Sequence, residues 1–357
     1  MEEKAEQIYE ILQDYHCDYP DTSYEMSAEH ILSWAEQFGE DADFVLSEFL
    51  HFLPQIYVSK ARAAKALKNR LISFQEFYGY HSMADFVLNT HFIDVQRSEK
   101  SQKEILIVIK SILQDDYGVD YDQFADQPKK HFIYFDDILA TGGTIFRDLQ
   151  HWLCENFEAF VKKEKTIALS LFCYHELGYG NMKWMLIQNP ELKSLFNEYS
   201  VSAGIIEKEL LTRANYVIEN QAKWNNQKLN CAFPIADQSK EVLQYLANFS
   251  ENPGKAQVFR VPNTPVQEQF FSSADNRNRL EKIFTEKGLE LLQKVNSQDI
   301  DQAKRPLGYT VRSHKTLGTG TLFFTWRNIS NTCPLVFWWD VPGHQWTPLF
   351  CLKNRGI

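Results

Sequence analysis

The sequence predicts an α/β protein: a parallel sheet with helices on both faces, preceded by a helical N-terminal region and followed by an α+β elaboration packed on that core. Three observations predict it. Residues 1–78 carry apolar positions at helical spacing and no strand signal. From about residue 80, short apolar runs alternate with helical stretches, the order that builds a parallel sheet with crossover helices. The last sixty or so residues change again, to two aromatic β-like runs within GTGTLFFTWRNISNTCPLVFWWDVPG. The expected division is therefore 1–78, 79–240 and 241–357. The 357 residues are 44% hydrophobic and 24% charged, a globular composition that excludes disorder, collagen and coiled coil.

In the first region, helices are expected over Ala5–Leu12, Ser27–Phe38 and Asp43–Leu53, with a fourth opened by Ser59 as N-cap. On that fourth helix Ala63, Leu67, Leu71 and Phe74 form one apolar stripe, while Lys60, Arg62, Lys65, Lys68 and Arg70 take other positions. A basic outer face answering acidic neighbours is the plainer account, and a partner or nucleic-acid contact is the alternative. With 37 basic against 47 acidic residues, the net charge of −10 leaves no general attraction for nucleic acid or anionic membrane, so such a contact would be a local patch. The start, MEEKAEQIYE, is acidic where a signal peptide needs basic then apolar residues, and the densest apolar run, Ile105–Ile109, is far shorter than the roughly 20 residues of a membrane span. A cytoplasmic location is expected. Six cysteines stand singly with no C-x-x-C pair, which suggests buried thiols instead of zinc ligands or a disulfide framework.

In the core, strands are expected at His91–Gln96, His131–Phe135 and Lys165–Tyr174, with helices at Gln102–Asp115 and Thr144–Val161. Beyond it, a polar helical stretch over Glu207–Asn225, a short apolar KLNCAFPI segment and a helix over Arg277–Val295 lead to the aromatic hairpin or strand pair.

One segment carries chemistry. His131-Phe-Ile-Tyr-Phe is followed by Asp136-Asp137-Ile138-Leu139 and then by Ala140-Thr141-Gly142-Gly143-Thr144, opening an amphipathic helix with Ile145, Leu149, Trp152 and Leu153. The glycines let backbone N–H groups approach an anion, and the helix N-terminus adds its positive dipole end. Two carboxylates at the carboxyl end of a buried strand stand where ligands bind open α/β sheets, placed to accept hydrogen bonds from a sugar diol. Phosphate plus diol means a ribose phosphate.

This arrangement resembles the PRPP-binding signature of type I phosphoribosyltransferases: four apolar residues, two acids, two aliphatics and an Ala/Ser-Thr-Gly-x-Thr turn. Tyr134 departs from the usual aliphatic residue. The resemblance implies that Asp136 and Asp137 bind the ribose hydroxyls and, through water, Mg²⁺. It also implies that Ala140, Thr141, Gly142, Gly143 and Thr144 hold the 5′-phosphate. A diphosphate loop would follow the first strand, at Arg97, Ser98, Lys100 and Ser101, where hydroxyls, cations and a helix dipole coincide. Only Tyr117–Lys130 fill the place where type I enzymes put two strands and a mobile lid, so at most a short hairpin is expected there.

Further pieces, FLPQIYVSK, NRLEKIFTEKGLELL, RPLGY and TWRNISNTCPLVFWW, are together similar to the PRTase-CE family of prokaryotic conflict systems, found beside anti-phage genes including some retrons. This implies a phosphoribosyltransferase-like effector, whose partners would be an ATPase, a reverse transcriptase or an msDNA complex. Alternatives are a non-catalytic PRPP or nucleotide sensor and a scaffold subunit. Tyr174 and His175, ending the next strand, and Arg327, Asn328 and Asn331, between the aromatic runs, are candidates for the base or acceptor side. Each also has a purely structural account, as a hydrogen-bonded histidine and as a polar link capping a strand pair.

Overall fold

The computed structural model describes residues 1–18, 25–97, 100–161, 165–192, 210–218, 229–249, 257–295, 301–341 and 345–351. In chain order, the first helices are α1 (Glu2–Leu12), α2 (Ala28–Glu36) and α3 (Ala42–Ile56), followed by β1 (Tyr57–Val58), α4 (Lys60–Phe77), α5 (Met83–Asn89), β2 (Thr90–Phe92) and α6 (Ser101–Tyr117). Then come β3 (His131–Leu139), α7 (Gly143–Glu155), α8 (Phe157–Val161), β4 (Thr166–His175), α9 (Glu176–Gln188) and β5 (Leu210–Ile218). The described remainder holds α10 (Lys240–Ala247), α11 (Ala274–Gln293), β6 (Phe324–Thr325) and β7 (Asn328–Ile329).

Contacts group the chain into two compact units, one of residues 1–60 with 218–357 and one of residues 61–217. The helical start expected as one region over 1–78 is thus shared between them. The physical reason is pairing: β1 runs parallel to β6, tying α3 to the C-terminal residues, whereas α4 follows the second unit.

In the unit 61–217 the sheet order is β2-β3-β4-β5, and the β2–β3 and β3–β4 pairs are parallel. β3 is buried almost throughout, as a central strand covered on both faces must be. Phe132 and Tyr134 share a core with Ile145, Leu149, Trp152 and Leu153 of α7 and Met182 and Leu186 of α9. By alternation Ile133 and Phe135 face the other way, and Phe135 meets Phe92 edge-on at 5.4 Å. The α4 stripe of Ala63, Leu67, Leu71 and Phe74 is buried as expected. On its polar side Lys68 pairs with Asp116 at 3.1 Å and Arg70 reaches Asn215 at 3.4 Å.

The unit formed by 1–60 and 218–357 is built on aromatic packing. Trp34 stacks on Phe337 at 5.6 Å, and Phe337 in turn meets Phe49, Phe284 and Phe324. Ser27 and Ser273 cap α2 and α11 with their hydroxyls, each accepting a backbone N–H at 3.1 Å.

Several expectations are corrected. The first strand is three residues long and ends at Phe92, because the chain leaves it for a loop pinned by Gln102. The helix expected to run to Val161 breaks at Asn156, whose side chain donates to Trp152 O and whose backbone leaves helical values. The helix expected over Glu207–Asn225 is strand β5 from Leu210 to Ile218, its expected flanks lying outside the described residues. There, pairing along the sheet edge outweighs local polarity. Tyr117–Lys130 holds a 3-10 turn at Tyr121–Phe124 and no hairpin. The aromatic hairpin shrinks to β6 and β7, two residues each and antiparallel. The second aromatic run is instead a 3-10 turn at Leu335–Phe337, because these side chains are buried all round and do not alternate. Not every thiol is buried: Cys173, Cys231 and Cys333 are, while Cys17 is exposed. Among the described residues no helix is long and apolar enough to cross a membrane.

Candidate phosphate and ribose site

The Ala140–Thr144 turn is shaped by two glycines, one capping the start of α7 and one within α9. Gly142 has φ +83°, a left-handed value that a side chain would strain, and it is the N-cap from which α7 departs. A methyl group on Gly142 would also lie 3.0 Å from Met182 Cβ and closer still to Gly178 O. A methyl group on Gly178, at the start of α9, would fall 2.6 Å from the Ala140 carbonyl carbon. The turn is therefore seated on α9, backbone against backbone. Gly142 offers α7 no side-chain cap, so it competes with no ligand for the first-turn N–H groups. Gly143 has room, its nearest neighbour being Arg147 Nη1 at 3.5 Å from an added Cβ. Arg147 donates to Thr144 Oγ1 at 3.3 Å and brings an exposed cation to the turn.

Asp136 and Asp137 lie within β3, two positions before its end, and are 5% and 7% exposed. Asp136 is the hub of a polar network. Oδ1 accepts from the Asp137 N–H at 2.9 Å and from the Ser101 hydroxyl. Oδ2 accepts from Gln96 Nε2 at 3.1 Å and from the Tyr134 hydroxyl at 3.3 Å. Gln96 and Tyr134 both also reach Asp148 Oδ2, at 3.0 and 2.7 Å. Burial, and then the neighbouring Asp137 charge, push the Asp136 carboxyl up to about 7, with the Ser101 hydroxyl and other donors opposing. Asp137 Oδ1 accepts from the Ile138 N–H at 2.7 Å.

The loop after β2 is held against this network. Gln102, fully buried, accepts from the Val95 and Gln96 N–H groups at 2.9 and 3.0 Å. Arg97 and Lys100 are exposed, and Lys100 precedes α6 as its N-cap residue. Ser101 points to Asp136. Ser98 lies outside the described residues.

Of the acceptor-side candidates, Tyr174 packs on Tyr179 at 5.2 Å. His175 is fully buried and caps α9: its Nδ1 accepts from the Leu177 N–H at 3.3 Å. Burial holds it neutral, down to about 4. Arg327, Asn328 and Asn331 belong to the unit of 1–60 and 218–357. Asn328 forms a turn with Thr325, whose hydroxyl donates to its carbonyl at 2.8 Å, and Asn331 O accepts from the Tyr309 N–H at 2.9 Å. Arg327 and Asn328 are buried.

Gln96, Tyr134, Arg147, Asp148 and Gly178 are the members that sequence reasoning missed. The departure at Tyr134 was one visible signal. Asp148, one helical turn after Thr144, was another.

The model of one family, PRTase-CE, matches residues 31–351. The chain belongs to the PRTase-CE family. No curated protein and no solved structure gives a match. Among the described residues no group of three His, Cys, Asp or Glu side chains is arranged to hold a metal ion. Two adjacent carboxylates fit Mg²⁺ of the kind that takes one or two protein carboxylates and draws its other ligands from water and substrate phosphates.

Proposed function

We propose that this PRTase-CE chain binds PRPP, or a related ribose 5-phosphate compound, with Mg²⁺ and transfers or hydrolyses at ribose C1. The observation that carries the reading is the Ala140–Thr144 turn. Its left-handed glycine, uncapped helix start and backbone seating on α9 form an anion cradle two residues from paired acids. The 5′-phosphate sits on the turn, with Arg147 beside it. Asp136 and Asp137 take the ribose hydroxyls, and would hold Mg²⁺ through water. When bound, Mg²⁺ supplies charge neutralisation on the diphosphate. Arg97 and Lys100 add positive charge where the diphosphate departs, and the ribose turns oxocarbenium-like without a covalent nucleophile.

Asp136 favours a second reading, a sensor. Ser101 and Gln96 occupy its oxygens, so a ribose hydroxyl must displace them, and binding would free the loop they belong to. In either form the resemblance supports an effector or accessory protein of an anti-phage module, with an ATPase, a reverse transcriptase or an msDNA complex as partner. Single-turnover assays with labelled PRPP and Mg²⁺ test the first reading. Release of diphosphate supports an enzyme, whereas binding without release supports the sensor.

A further inference from the structure

The unit formed by 1–60 and 218–357 shows how it satisfies a buried arginine. Arg277, fully buried, presents Nε and Nη2 as a fork to Glu268, at 2.5 and 3.0 Å, and its Nη1 reaches Glu281 and Cys231 O, both at 3.2 Å. Arg260 donates to Phe233 O at 2.8 Å, to Glu281 at 2.7 Å and to Asn278 at 2.6 Å. Arg305 breaks the pattern. It is 1% exposed, its Nη1 reaches Lys304 O at 3.3 Å, and its Nε and Nη2 are buried with no hydrogen-bond partner among the described residues.

Those two nitrogens form the same edge that Arg277 gives to Glu268. Two parallel N–H groups on one edge match two oxygens of a carboxylate or phosphate. The guanidinium carbon lies 3.8 Å from the centroid of the Phe249 ring. Tyr245 is a side-chain hydrogen-bond partner of the guanidinium and Asp301 is the acid whose field reaches it, yet Nε and Nη2 themselves have no partner among the described residues. Lys304 is next in the chain, its ammonium 5.0 Å over Trp339 and 5.7 Å over Tyr309. Asp301 is already bonded to Arg312 at 3.1 Å and to the Ala303 N–H at 2.9 Å. Among the described residues, Lys304, Arg305 and Arg312 thus share one acid, Asp301, and two positive charges remain in excess. An unmatched buried charge is costly, and a chain with a net charge of −10 has many acids with which to match it.

The geometry points to Arg305 and Lys304 as a second anion site, for a phosphate group carried free or on a nucleotide. A phosphate dianion balances both charges, where a carboxylate balances one. The residues that argue for it, Tyr245, Phe249, Lys304, Arg305, Tyr309 and Trp339, all belong to the unit of 1–60 and 218–357, and the inference is independent of the phosphoribosyl reading.

The test is calorimetric titration of the full chain with inorganic phosphate, then with a nucleoside monophosphate, each against acetate. Arg305→Met and Arg305→Lys should each weaken phosphate tenfold or more, and the Arg305 Nε–H resonance, identified by its loss in Arg305→Met, should shift on phosphate addition. Because the Ala140–Thr144 turn is itself read as a phosphate cradle, the titrations are repeated in Thr144→Val, where the Arg305-dependent part of the binding should persist. Without ligand, Arg305→Met should melt no lower than the parent chain, because a methionine carries no charge to desolvate. Tighter binding of the nucleoside monophosphate would identify the source as a nucleotide, and equal binding would identify free phosphate. Phosphate binding unchanged in both Arg305 variants would overturn the inference, as would an Nε–H resonance indifferent to phosphate. A large loss of stability in ligand-free Arg305→Met and Arg305→Lys alike, with phosphate binding retained, would make the arginine structural.

Discussion

Gly178 and Gly180 lie two residues apart in α9, and alanine at each should have opposite effects. At Gly178 the added carbon would sit 2.6 Å from the Ala140 carbonyl carbon and 3.1 Å from that of Thr141. Unstrained carbon contacts lie at about 3.5–4.0 Å, so either α9 or the phosphate turn must move by roughly 1 Å. Both obstacles are backbone, which cannot rotate aside. Overpacking of this kind costs about 1–3 kcal/mol, and the upper end is expected here. For a chain of 357 residues that is a fall of roughly 1–4 °C in melting temperature. A shift of about 1 Å in a positioning element can cost on the order of a hundredfold in activity, so PRPP affinity should fall at least tenfold. Gly180 is exposed in the helix interior and has nothing within 4 Å of an added Cβ. Alanine there should raise stability by about 0.5–1 kcal/mol through helix propensity and leave PRPP binding alone. Thermal melts and PRPP titrations of the two variants decide it. If Gly178→Ala melts and binds like Gly180→Ala, the seating of the turn on α9 is not what holds the phosphate site.

Asp136, raised from 3.8 to about 7, contributes stability that is full below pH 4 and is lost as pH rises through 7; the upper limit is about 4 kcal/mol. Urea denaturation should therefore show the parent chain weakening relative to Asp136→Asn between pH 5 and 8, and parallel curves would contradict the buried-charge account. His175 runs the other way: lowered from 6.5 to about 4, it contributes stability present above pH 6.5 and lost as pH falls through 4. His175→Asn, which can still cap the Leu177 N–H, should be less acid-sensitive in the same assay, and an unchanged acid limb would show that the imidazole is not held neutral. Lys100→Ala should weaken PRPP tenfold or more and spare ribose 5-phosphate, since a charge-assisted hydrogen bond is worth about 1.5–3 kcal/mol. Ser101→Ala, which removes a donor that a ribose hydroxyl would have to displace from Asp136, should strengthen the binding of both ligands, and a selective loss of PRPP would return Ser101 to the diphosphate.

Much of the unit 61–217 was legible because its signals are local. The apolar run into Asp136-Asp137 and the Gly142-Gly143 turn occupy fourteen consecutive residues, and strand, turn and helix start follow there in the expected order. The network around Asp136 was not legible, because its partners come from far along the chain: Ser101 is 35 residues away, and Gln96 reaches Asp148 across 52. Gly178 carries no motif, since its need for no side chain arises only when α9 meets Ala140. Strand β5 was misread because an edge strand takes its stability from pairing, and the polar residues around it read as a helix. The aromatic run at Leu335–Phe337 was misread for a related reason: burial on every side looks like a strand in sequence and is a 3-10 turn in space.

The central claim is that Asp136, Asp137 and the Ala140–Thr144 turn form a phosphoribosyl site, and calorimetric titration of PRPP in the presence of Mg²⁺ tests it most directly. The account predicts saturable binding to the parent chain, binding of ribose 5-phosphate at lower affinity, and loss of both in a folded Asp136→Asn/Asp137→Asn variant. No heat and no change in melting temperature with millimolar PRPP and Mg²⁺, or equal binding to the folded double variant, would contradict it.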